Sequence, residues 1–319
     1  MRIYSRIAGT GGYLPSQIRT NEDISKLVDT SDEWIFDRTG IHERRIAGAE
    51  ETASSMAEIA ARRALEAADL QASRIDLIIV ATSSPDTIFP STACLLQNRL
   101  KATQCAAFDI QAACSGFIYA LSVADQFIQS GTVRKALVVG SEINSRLIDW
   151  NDRRTCILFG DGAGAVVLTA TDTPGVLSTH IHSDGNFSDL LYVPNPVGGL
   201  GDSDPVIHMS GNEVFKVAVN TLGRIVDETL AANQMQKSDI DWLVPHQANI
   251  RIINATAKKL GMALDKVVLT IERQGNTSSA SVPLALDEGI RDGRIKRGDT
   301  LLMEAFGGGF VWGSALVRY

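Results

Sequence analysis

The sequence feature that most constrains the fold is the alternation of short, unbroken apolar runs with amphipathic helical segments. Apolar runs of this length are typical of strands that are buried on both faces of a sheet. The helical segments 55–68 and 115–130 repeat their apolar residues with the period of an α-helix. This alternation predicts a layered α/β fold with mixed sheets. The predicted strands are 77–80, 106–110, 136–139, 165–168, 242–244, 267–271 and 300–303.

The chain also contains an internal repeat of about half its length. Segment 74–80 resembles 239–245, segment 131–135 resembles 293–297, and glycine-led apolar runs begin at Gly164 and Gly313. Three matches in the same order favour a duplication over chance. We therefore predict two αβαβα halves, residues 1–172 and 173–319.

Composition excludes several classes of protein. The 319 residues carry 30 basic and 37 acidic side chains, a net charge of −7, whereas nucleic-acid binders normally have a basic excess. No apolar run is long enough for a membrane span, and the first residues do not resemble a signal peptide. The four cysteines form no C-x-x-C pair. We expect a cytoplasmic protein that binds neither nucleic acid nor membranes and whose thiols are reduced.

Cys114 is the strongest candidate for a nucleophile. It lies between the predicted strand 106–110 and the helix that follows, among small residues that leave room for a substrate. The positive end of the helix dipole should lower the pKa of a thiol placed there. The alternative is a small buried core residue, the usual fate of a free cysteine. Less favourable positions are those of Cys94 in a helix, Cys105 at the start of a strand and Cys156 inside a strand.

Two further polar residues follow strands of the second half. His246 comes directly after the strand 242–244, and the repeat offset of 162 places Asn276 opposite Cys114. Ligands of α/β folds usually bind where such strand ends converge. Asn249 could cap the next helix. His180 and His182 share a strand face but lack a third ligand, so no metal site is expected.

The glycine-rich stretches 160–164 and 307–309 do not have the spacing of a nucleotide-binding loop, and a strand follows each of them. We interpret them as places of close backbone approach, where amides could bind an oxyanion.

Seven motifs, taken together, identify a family. They are Ser-Asp-Glu-Trp-Ile-Phe-Asp-Arg-Thr-Gly-Ile (31–41), Ala-Ala-Cys-Ser-Gly (112–116), Phe-Gly-Asp-Gly-Ala-Gly (159–164), Gly-Asn-Glu-Val-Phe-Lys (211–216), Val-Pro-His-Gln-Ala-Asn (244–249), Gly-Asn-Thr-Ser (275–278) and Glu-Ala-Phe-Gly-Gly-Gly-Phe (304–310). In this order, over the whole chain, they resemble the thiolase-like condensing enzymes, in particular the β-ketoacyl-[acyl-carrier-protein] synthase III family.

The resemblance implies a catalytic triad of Cys114, His246 and Asn276. In that family the cysteine takes an acyl primer, most often acetyl, from acyl-CoA. The acyl-enzyme then condenses with malonyl-acyl-carrier protein, and carbon dioxide and a 3-oxoacyl-carrier protein are released, which starts fatty-acid synthesis. The amides of Cys114 and Gly308 would form the oxyanion hole. No metal or redox cofactor is implied, because CoA is part of a substrate.

The resemblance also implies binding sites for both substrates. Trp34 and Arg153 would flank the adenine of CoA, Arg38 would meet a phosphate, and Asn212 and Asn249 would line the pantetheine tunnel. Phe89 would reach into the acyl pocket of a second subunit, which implies a homodimer. The carrier protein would dock on Arg251, Lys258 and Lys259 of the helix after His246, together with Lys216.

Other functions remain open at this point. A related polyketide or quinolone-type starter synthase would use the same three residue types on other substrates. A cysteine hydrolase of acyl thioesters would use Cys114 and His246 without a malonyl donor. A non-catalytic carrier-binding protein would have had no reason to keep the triad.

Overall fold

A computed structural model describes residues 3–198 and 204–319 of the chain. Its β-strands are β1 Tyr4–Tyr13, β2 Gln17–Thr20, β3 Glu43–Ile46, β4 Leu77–Ala81, β5 Ala106–Ile110, β6 Lys135–Ile143, β7 Asp161–Thr171, β8 Val176–Ser183, β9 Leu191–Tyr192, β10 His208–Met209, β11 Trp242–Pro245, β12 Thr300–Gly307 and β13 Val311–Arg318.

The α-helices alternate with these strands, as the apolar pattern predicts. They are α1 Asn21–Ser25, α2 Asp32–Thr39, α3 Ala53–Ala67, α4 Thr92–Leu100, α5 Gly116–Gln129, α6 Arg153–Cys156, α7 Gly211–Ala232, α8 Ile250–Leu260, α9 Ile271–Gln274 and α10 Ser281–Arg291. Among the described residues, no helix combines the length and apolar composition that a membrane span needs.

Two mixed sheets share one strand order. The first sheet runs β1-β7-β6-β4-β5, and the second runs β8-β13-β12-β11 when read in the same direction. In each sheet two corresponding strands are parallel, β4 with β6 and β11 with β12, and the next strand along, β7 or β13, is antiparallel. This is the arrangement that the internal repeat predicts. The division of the chain at residue 172 into two domains remains a prediction.

The predicted strand 267–271 is wrong. Its place beside β11 corresponds to that of β5 in the first sheet, yet only one isolated parallel bridge forms there, between Leu243 and Val267. The backbone N–H of Val268 donates to the carbonyl of Leu243, and the helix α9 already begins at Ile271. An apolar run therefore marked burial correctly but did not distinguish a strand from a single bridge.

The core consists of three apolar layers that alternate with the sheets. The central layer joins both sheets through α5 and α10, with Phe117 and Leu286 fully buried in it. One outer layer packs α3 and α4 on the first sheet, and the other packs α7 and α8 on the second sheet. The five layers are thus helix, sheet, helix, sheet and helix. The strands β4, β6, β7 and β12 are buried over most of their length, which explains their apolar runs, whereas the edge strands β5 and β8 are only partly buried.

Glycine allows the two halves to approach closely at two points near the site. A Cβ on Gly140 of β6 would lie 2.3 Å from the carbonyl oxygen of Ser279, and one on Gly307 would lie 2.6 Å from the backbone nitrogen of Cys114. Any other residue would push these segments apart. The sheet of each half therefore lies in direct backbone contact with a turn of the other half.

Candidate active site

Cys114 is positioned by a tight turn between β5 and α5. The turn Ala113–Ser115 is a short 3₁₀ helix that leads directly into α5, and Cys114 is only 8% exposed. Ala113 has a φ of 42°, a left-handed backbone that is unfavourable for a residue with a Cβ. The prediction that Cys114 lies between a strand and a helix N-terminus is confirmed.

The predicted lowering of the Cys114 pKa is wrong for the unliganded site. Burial raises the pKa of this thiol to about 11, and a hydrogen bond with the side chain of Ser278 opposes that rise. The nearby carboxyl of Glu142 also raises it. Desolvation of a thiolate in a closed site thus outweighs the helix dipole. Near neutral pH the Cys114 side chain is therefore a protonated thiol.

His246 follows β11, and a hydrogen bond with the Ser281 side chain holds its ring in place. Its Nδ1 lies 2.5 Å from the Ser281 hydroxyl oxygen, which also lies 3.4 Å from the backbone nitrogen of Gln247. When the Ser281 hydroxyl donates to Nδ1, Nε2 carries the ring proton. Burial lowers the pKa of His246 to about 3, so the ring is a neutral hydrogen-bond donor.

Asn276 is fixed by backbone and side-chain bonds that leave its amide N–H groups available. It forms an isolated bridge with Phe159, and its Oδ1 accepts a hydrogen bond of 2.9 Å from the backbone N–H of Ser278. An amide whose oxygen is occupied presents its NH₂ group as a donor. Local sequence alone suggested an ordinary turn residue here.

One cavity of about 250 Å³ brings Cys114, His246 and Asn276 together. Asn212, Asn249, Arg38 and Arg251 lie on the same wall or at the mouth. Cys114 also borders a second cavity of about 670 Å³ whose lining includes Gly308 and Ile88. Cys114 thus borders both cavities, and we call the first one, which also reaches the exposed Arg251, the tunnel.

Three of the predicted CoA residues, Arg38, Asn212 and Asn249, line the tunnel, and Trp34 and Arg153 lie beside Arg38. The guanidinium carbons of Arg38 and Arg153 lie 4.4 and 4.8 Å from the ring centroid of Trp34. A flat base could replace one of the two guanidinium groups on the indole. Asn249 does cap α8, since its side chain accepts from the Arg251 N–H, while its Nδ2 donates to the Arg38 carbonyl at 3.0 Å.

Phe89 is 84% exposed and does not line either cavity in the single chain. Its neighbour Ile88 is 75% exposed and borders the second cavity. The role predicted for Phe89 requires a second subunit, so it remains a prediction. Gly308 lies on the wall of the second cavity beside Cys114.

The four basic residues predicted to dock a carrier protein lie on one surface with different local partners. The Arg251 guanidinium lies 4.9 Å from the Phe215 ring centroid. Lys216 pairs with Glu213 at 2.9 Å, and Lys259 pairs with Asp227 at 2.6 Å. Lys258 is exposed on α8. We call these four residues the basic rim.

The remaining cysteines and histidines occupy structural positions. Cys94 lies in α4 as predicted, but Cys156 ends the short helix α6 and is not inside a strand; burial raises its pKa to about 11. His180 and His182 both contact Glu228, at 3.3 and 3.0 Å. Within residues 3–198 and 204–319, no cluster of three or more His, Cys, Asp or Glu side chains is arranged to hold a metal ion.

Sequence reasoning missed three residues around the site, namely Ser281, Glu142 and Glu304. Ser281 orients His246, Glu142 lies behind Cys114, and Glu304 lines the tunnel. A signal did exist for the two acids, because each follows an apolar run that was predicted to be a buried strand, Glu304 directly after 300–303 and Glu142 three residues after 136–139.

Comparison with known proteins agrees with this geometry. Residues 108–185 match the family described as 3-Oxoacyl-[acyl-carrier-protein (ACP)] synthase III, and residues 230–319 match its C-terminal counterpart. The beta-ketoacyl-[acyl-carrier-protein] synthase III of Methylococcus capsulatus is 69% identical over 321 residues, 100% of both chains. That of Alkalilimnicola ehrlichii is 64% identical over 99% of both chains.

Solved structures show the same fold. The 3-oxoacyl-[acyl-carrier-protein] synthase III of Aquifex aeolicus superposes with a TM-score of 0.94 at 50% identity, covering 99% of this chain and 100% of that one. The priming β-ketosynthase of the R1128 polyketide pathway gives a TM-score of 0.95 at 37% identity, covering 99% and 96%. The thiolase-like fold is thus confirmed, and the chain belongs to the 3-oxoacyl-[acyl-carrier-protein] synthase III family of condensing enzymes.

Proposed function

We propose that this acyltransferase moves an acyl primer, most often acetyl, from acyl-CoA to Cys114 and condenses it with malonyl-acyl-carrier protein. The products are a 3-oxoacyl-carrier protein, CoA and carbon dioxide, and the reaction starts fatty-acid synthesis. The observation that carries this proposal is the single tunnel that joins a buried thiol to two neutral hydrogen-bond donors.

In the first half-reaction, the Cys114 thiol loses its proton as its sulfur attacks the thioester carbonyl. The bond between that carbonyl carbon and the CoA sulfur breaks, and CoA leaves as a thiol that carries the proton from Cys114. Exchange of one thioester for another is nearly balanced in free energy, so it is readily reversible. We assign the amides of Cys114 and Gly308 to the oxyanion that forms at this carbonyl. The close packing of Gly307 against the Cys114 backbone supports this assignment, because it places the two segments side by side.

In the second half-reaction, the malonyl group loses carbon dioxide and the resulting carbanion attacks the acyl group on Cys114. Negative charge builds up on the thioester oxygen of the malonyl group. We assign His246 Nε2 and Asn276 Nδ2 as the two donors for this oxygen. Because both are neutral and held by other bonds, they need no reorganisation when the charge develops. Neither half-reaction changes an oxidation state, and CoA takes part only as a substrate.

Both substrates would enter by the same tunnel. We assign Asn212 and Asn249 to the pantetheine arm, Trp34 and Arg153 to the CoA adenine and Arg38 to a CoA phosphate. The basic rim, Arg251, Lys216, Lys258 and Lys259, would meet an acidic carrier protein in place of the nucleotide. The exposure of Lys216, of Lys258 and of Arg251, which lines the tunnel, supports this, since rim charges act mainly on association.

We infer that the functional unit is a cytoplasmic homodimer. The exposed apolar pair Ile88 and Phe89 supports this, because a partner subunit would remove both from water. Phe89 would then bound the acyl pocket of that partner.

The relatives named beta-ketoacyl-[acyl-carrier-protein] synthase III, at 60–69% identity, favour this reaction over a polyketide starter synthase or a thioester hydrolase. The test incubates the purified protein with acetyl-CoA and malonyl-carrier protein and follows the carrier by intact mass. We expect a 3-oxobutyryl-carrier protein and one mole of carbon dioxide per CoA released. Free acetate without a condensed product would instead indicate a hydrolase.

A further inference from the structure

Glu304 is a buried acid that the reaction described above does not use. It lies on β12, is 1% exposed and lines the tunnel together with Cys114, His246 and Asn276. The backbone N–H of His246 donates to the Glu304 carbonyl at 2.8 Å, so the two residues lie side by side on adjacent strands.

The carboxyl group of Glu304 is only partly satisfied. The Thr256 hydroxyl of α8 lies near it and favours its ionised form, and that hydroxyl also donates to the Ile252 carbonyl at 3.5 Å. The Glu304 Oε2 atom is buried and has no hydrogen-bond partner among the described residues. Much of the tunnel wall near it is apolar, with Ala218, Leu222 and Phe306 among its residues. A buried polar atom without a partner is costly, so its retention calls for a functional reason.

The protonation state of Glu304 follows from this environment. Burial raises the pKa of its carboxyl to about 8, and the Thr256 hydroxyl holds the rise back. At neutral pH most of the molecules therefore carry Glu304 as a neutral acid, which has a proton to give.

The proposed reaction consumes one proton per turnover. Acyl-CoA, the malonyl carboxylate and one proton become the 3-oxoacyl-carrier protein, carbon dioxide and CoA. The proton that leaves with CoA comes from Cys114, and the sulfur is released as a thiolate when the acyl group is attacked. Because burial raises the pKa of Cys114 to about 11, this thiolate must take up a proton inside the closed site.

Glu142 also lies near Cys114, but it accepts hydrogen bonds from the hydroxyls of Ser84, Ser278 and Ser279 and does not line the tunnel. No other group on the tunnel wall is suited to supply that proton. His246 is neutral, with its pKa lowered to about 3, and the amide of Asn276 does not ionise near neutral pH. The remaining ionisable side chains of the wall are exposed arginines at the mouth, which do not release protons in this range: Arg38, Arg154 and Arg251.

We propose that Glu304 is the proton donor that returns Cys114 to its thiol form at the end of each condensation. The O–H bond of Glu304 breaks, and the proton passes through water in the tunnel to Cys114 Sγ as the bond between Sγ and the acyl carbon breaks. The tunnel volume of about 250 Å³ accommodates such water. The Glu304 carboxylate, unfavourable in this apolar setting, then regains a proton from solvent through the mouth. This inference rests on the proposed function.

The test compares the pH dependence of kcat for condensation in three variants with that of the wild type. In the wild type, kcat should fall as pH rises through about 8, because Glu304 loses its proton there. Glu304→Gln keeps the shape of the side chain but has no acidic proton, so its kcat should be about 10²-fold lower than that of the wild type. The kcat of this variant should also no longer decrease as pH rises through about 8. Acylation by acetyl-CoA in a single turnover should stay within about twofold, since Glu304 acts after it.

Thr256→Val provides a second, independent variant. It removes the hydroxyl that favours the carboxylate, so the pKa of Glu304 should rise and the fall in kcat should move to higher pH. Asp125→Asn is the matched control, because Asp125 is also a buried acid with a raised pKa but lies away from the tunnel. It should leave the pH profile unchanged.

The outcomes separate this proposal from the proposed function. If wild-type protein forms no 3-oxoacyl-carrier protein, the proposed function fails. If it does, and Glu304→Gln keeps the wild-type kcat and pH profile, Glu304 is not the donor. Equal losses in acylation and condensation would make Glu304 a structural residue, and an unmoved profile in Thr256→Val would assign the titration to another group.

Discussion

The interior of the tunnel and its basic rim solve different physical problems. Cys114, His246 and Asn276 are each at most 8% exposed, and burial shifts the pKa values of the first two toward their neutral forms. The rim residues Arg251, Lys216 and Lys258 are exposed and charged. The same chain thus keeps charge out of one region and displays it in the other.

This difference indicates that the buried residues act on the chemical steps and that the exposed residues act on binding. In an interior of low dielectric constant, a developing charge interacts strongly with fixed hydrogen-bond donors. Water and salt weaken the interactions of exposed charges. Changes inside should therefore have large effects on rates, and changes on the rim should have small effects that depend on salt.

The largest effect should come from the thiol itself. Cys114→Ala should lose roughly 10⁴-fold or more of its turnover, because no acyl-enzyme can form. Intact mass after exposure to acetyl-CoA should show one added acetyl group in the wild type and none in the variant. Cys94→Ala is the control and should acylate normally. A label that peptide mapping places on Cys94, Cys105 or Cys156 would contradict the assignment.

The two buried donors should come next. His246→Ala and Asn276→Ala should still form the acyl-enzyme but lose about 10²–10³-fold in condensation, because each removes one donor from the malonyl oxyanion. Rapid-quench measurement of both half-reactions provides the internal control. Loss of acylation with normal decarboxylation of malonyl-carrier protein would show that the roles are reversed.

Phe89 tests whether the interior extends across two subunits. If it bounds a partner's pocket, Phe89→Ala should admit longer primers. Each added methylene that finds apolar room contributes about 0.8 kcal/mol, so preference should shift by about tenfold toward butyryl-CoA over acetyl-CoA. Leu264→Ala is the matched control and should leave the selectivity unchanged, because Leu264 is an exposed apolar residue that borders neither cavity. Unchanged selectivity in a dimer of normal mass would leave Phe89 outside the pocket.

The smallest effects should come from the rim. Arg251→Glu or Lys258→Glu should raise KM for malonyl-carrier protein by at most about fivefold, more at low salt, and leave acylation by acetyl-CoA unchanged. Lys216→Glu and Lys259→Glu should do less, because Glu213 and Asp227 already offset those charges. Lys101→Glu, on an exposed site away from the rim, is the control. Should all four reversals together leave KM unchanged, the rim is not a docking surface.

Sequence alone was sufficient for the layered fold because strands buried on both faces leave an unambiguous apolar pattern. The internal repeat also placed Asn276 opposite Cys114, although its local sequence resembled a turn. The prediction from sequence failed where one apolar pattern is compatible with two structures. Residues 267–271 form one bridge in place of a strand, and Cys156 ends a helix.

The electrostatics could not be predicted in the same way. The expected low pKa of Cys114 considered only the helix behind it, whereas the closing segments come from Gly307 and Ser278, far away in sequence. Desolvation depends on every neighbour in three dimensions. For Glu304 the sequence shows only an acid directly after an apolar run, and its unsatisfied oxygen becomes visible only when the tunnel is assembled.

The close contact at Gly140 has a consequence for recombination between relatives. The turn that a Cβ on Gly140 would strike, Ser278–Ala280, follows Asn276 and leads into α10. A bulky residue at this strand position would therefore displace the segment that aligns one half's amide with the other half's thiol. A chimera that joins the first half of one relative to the second half of another should therefore keep a functional site only under one condition. The glycine at position 140 of the first relative must face a turn 278–280 of the second relative that has the same backbone conformation.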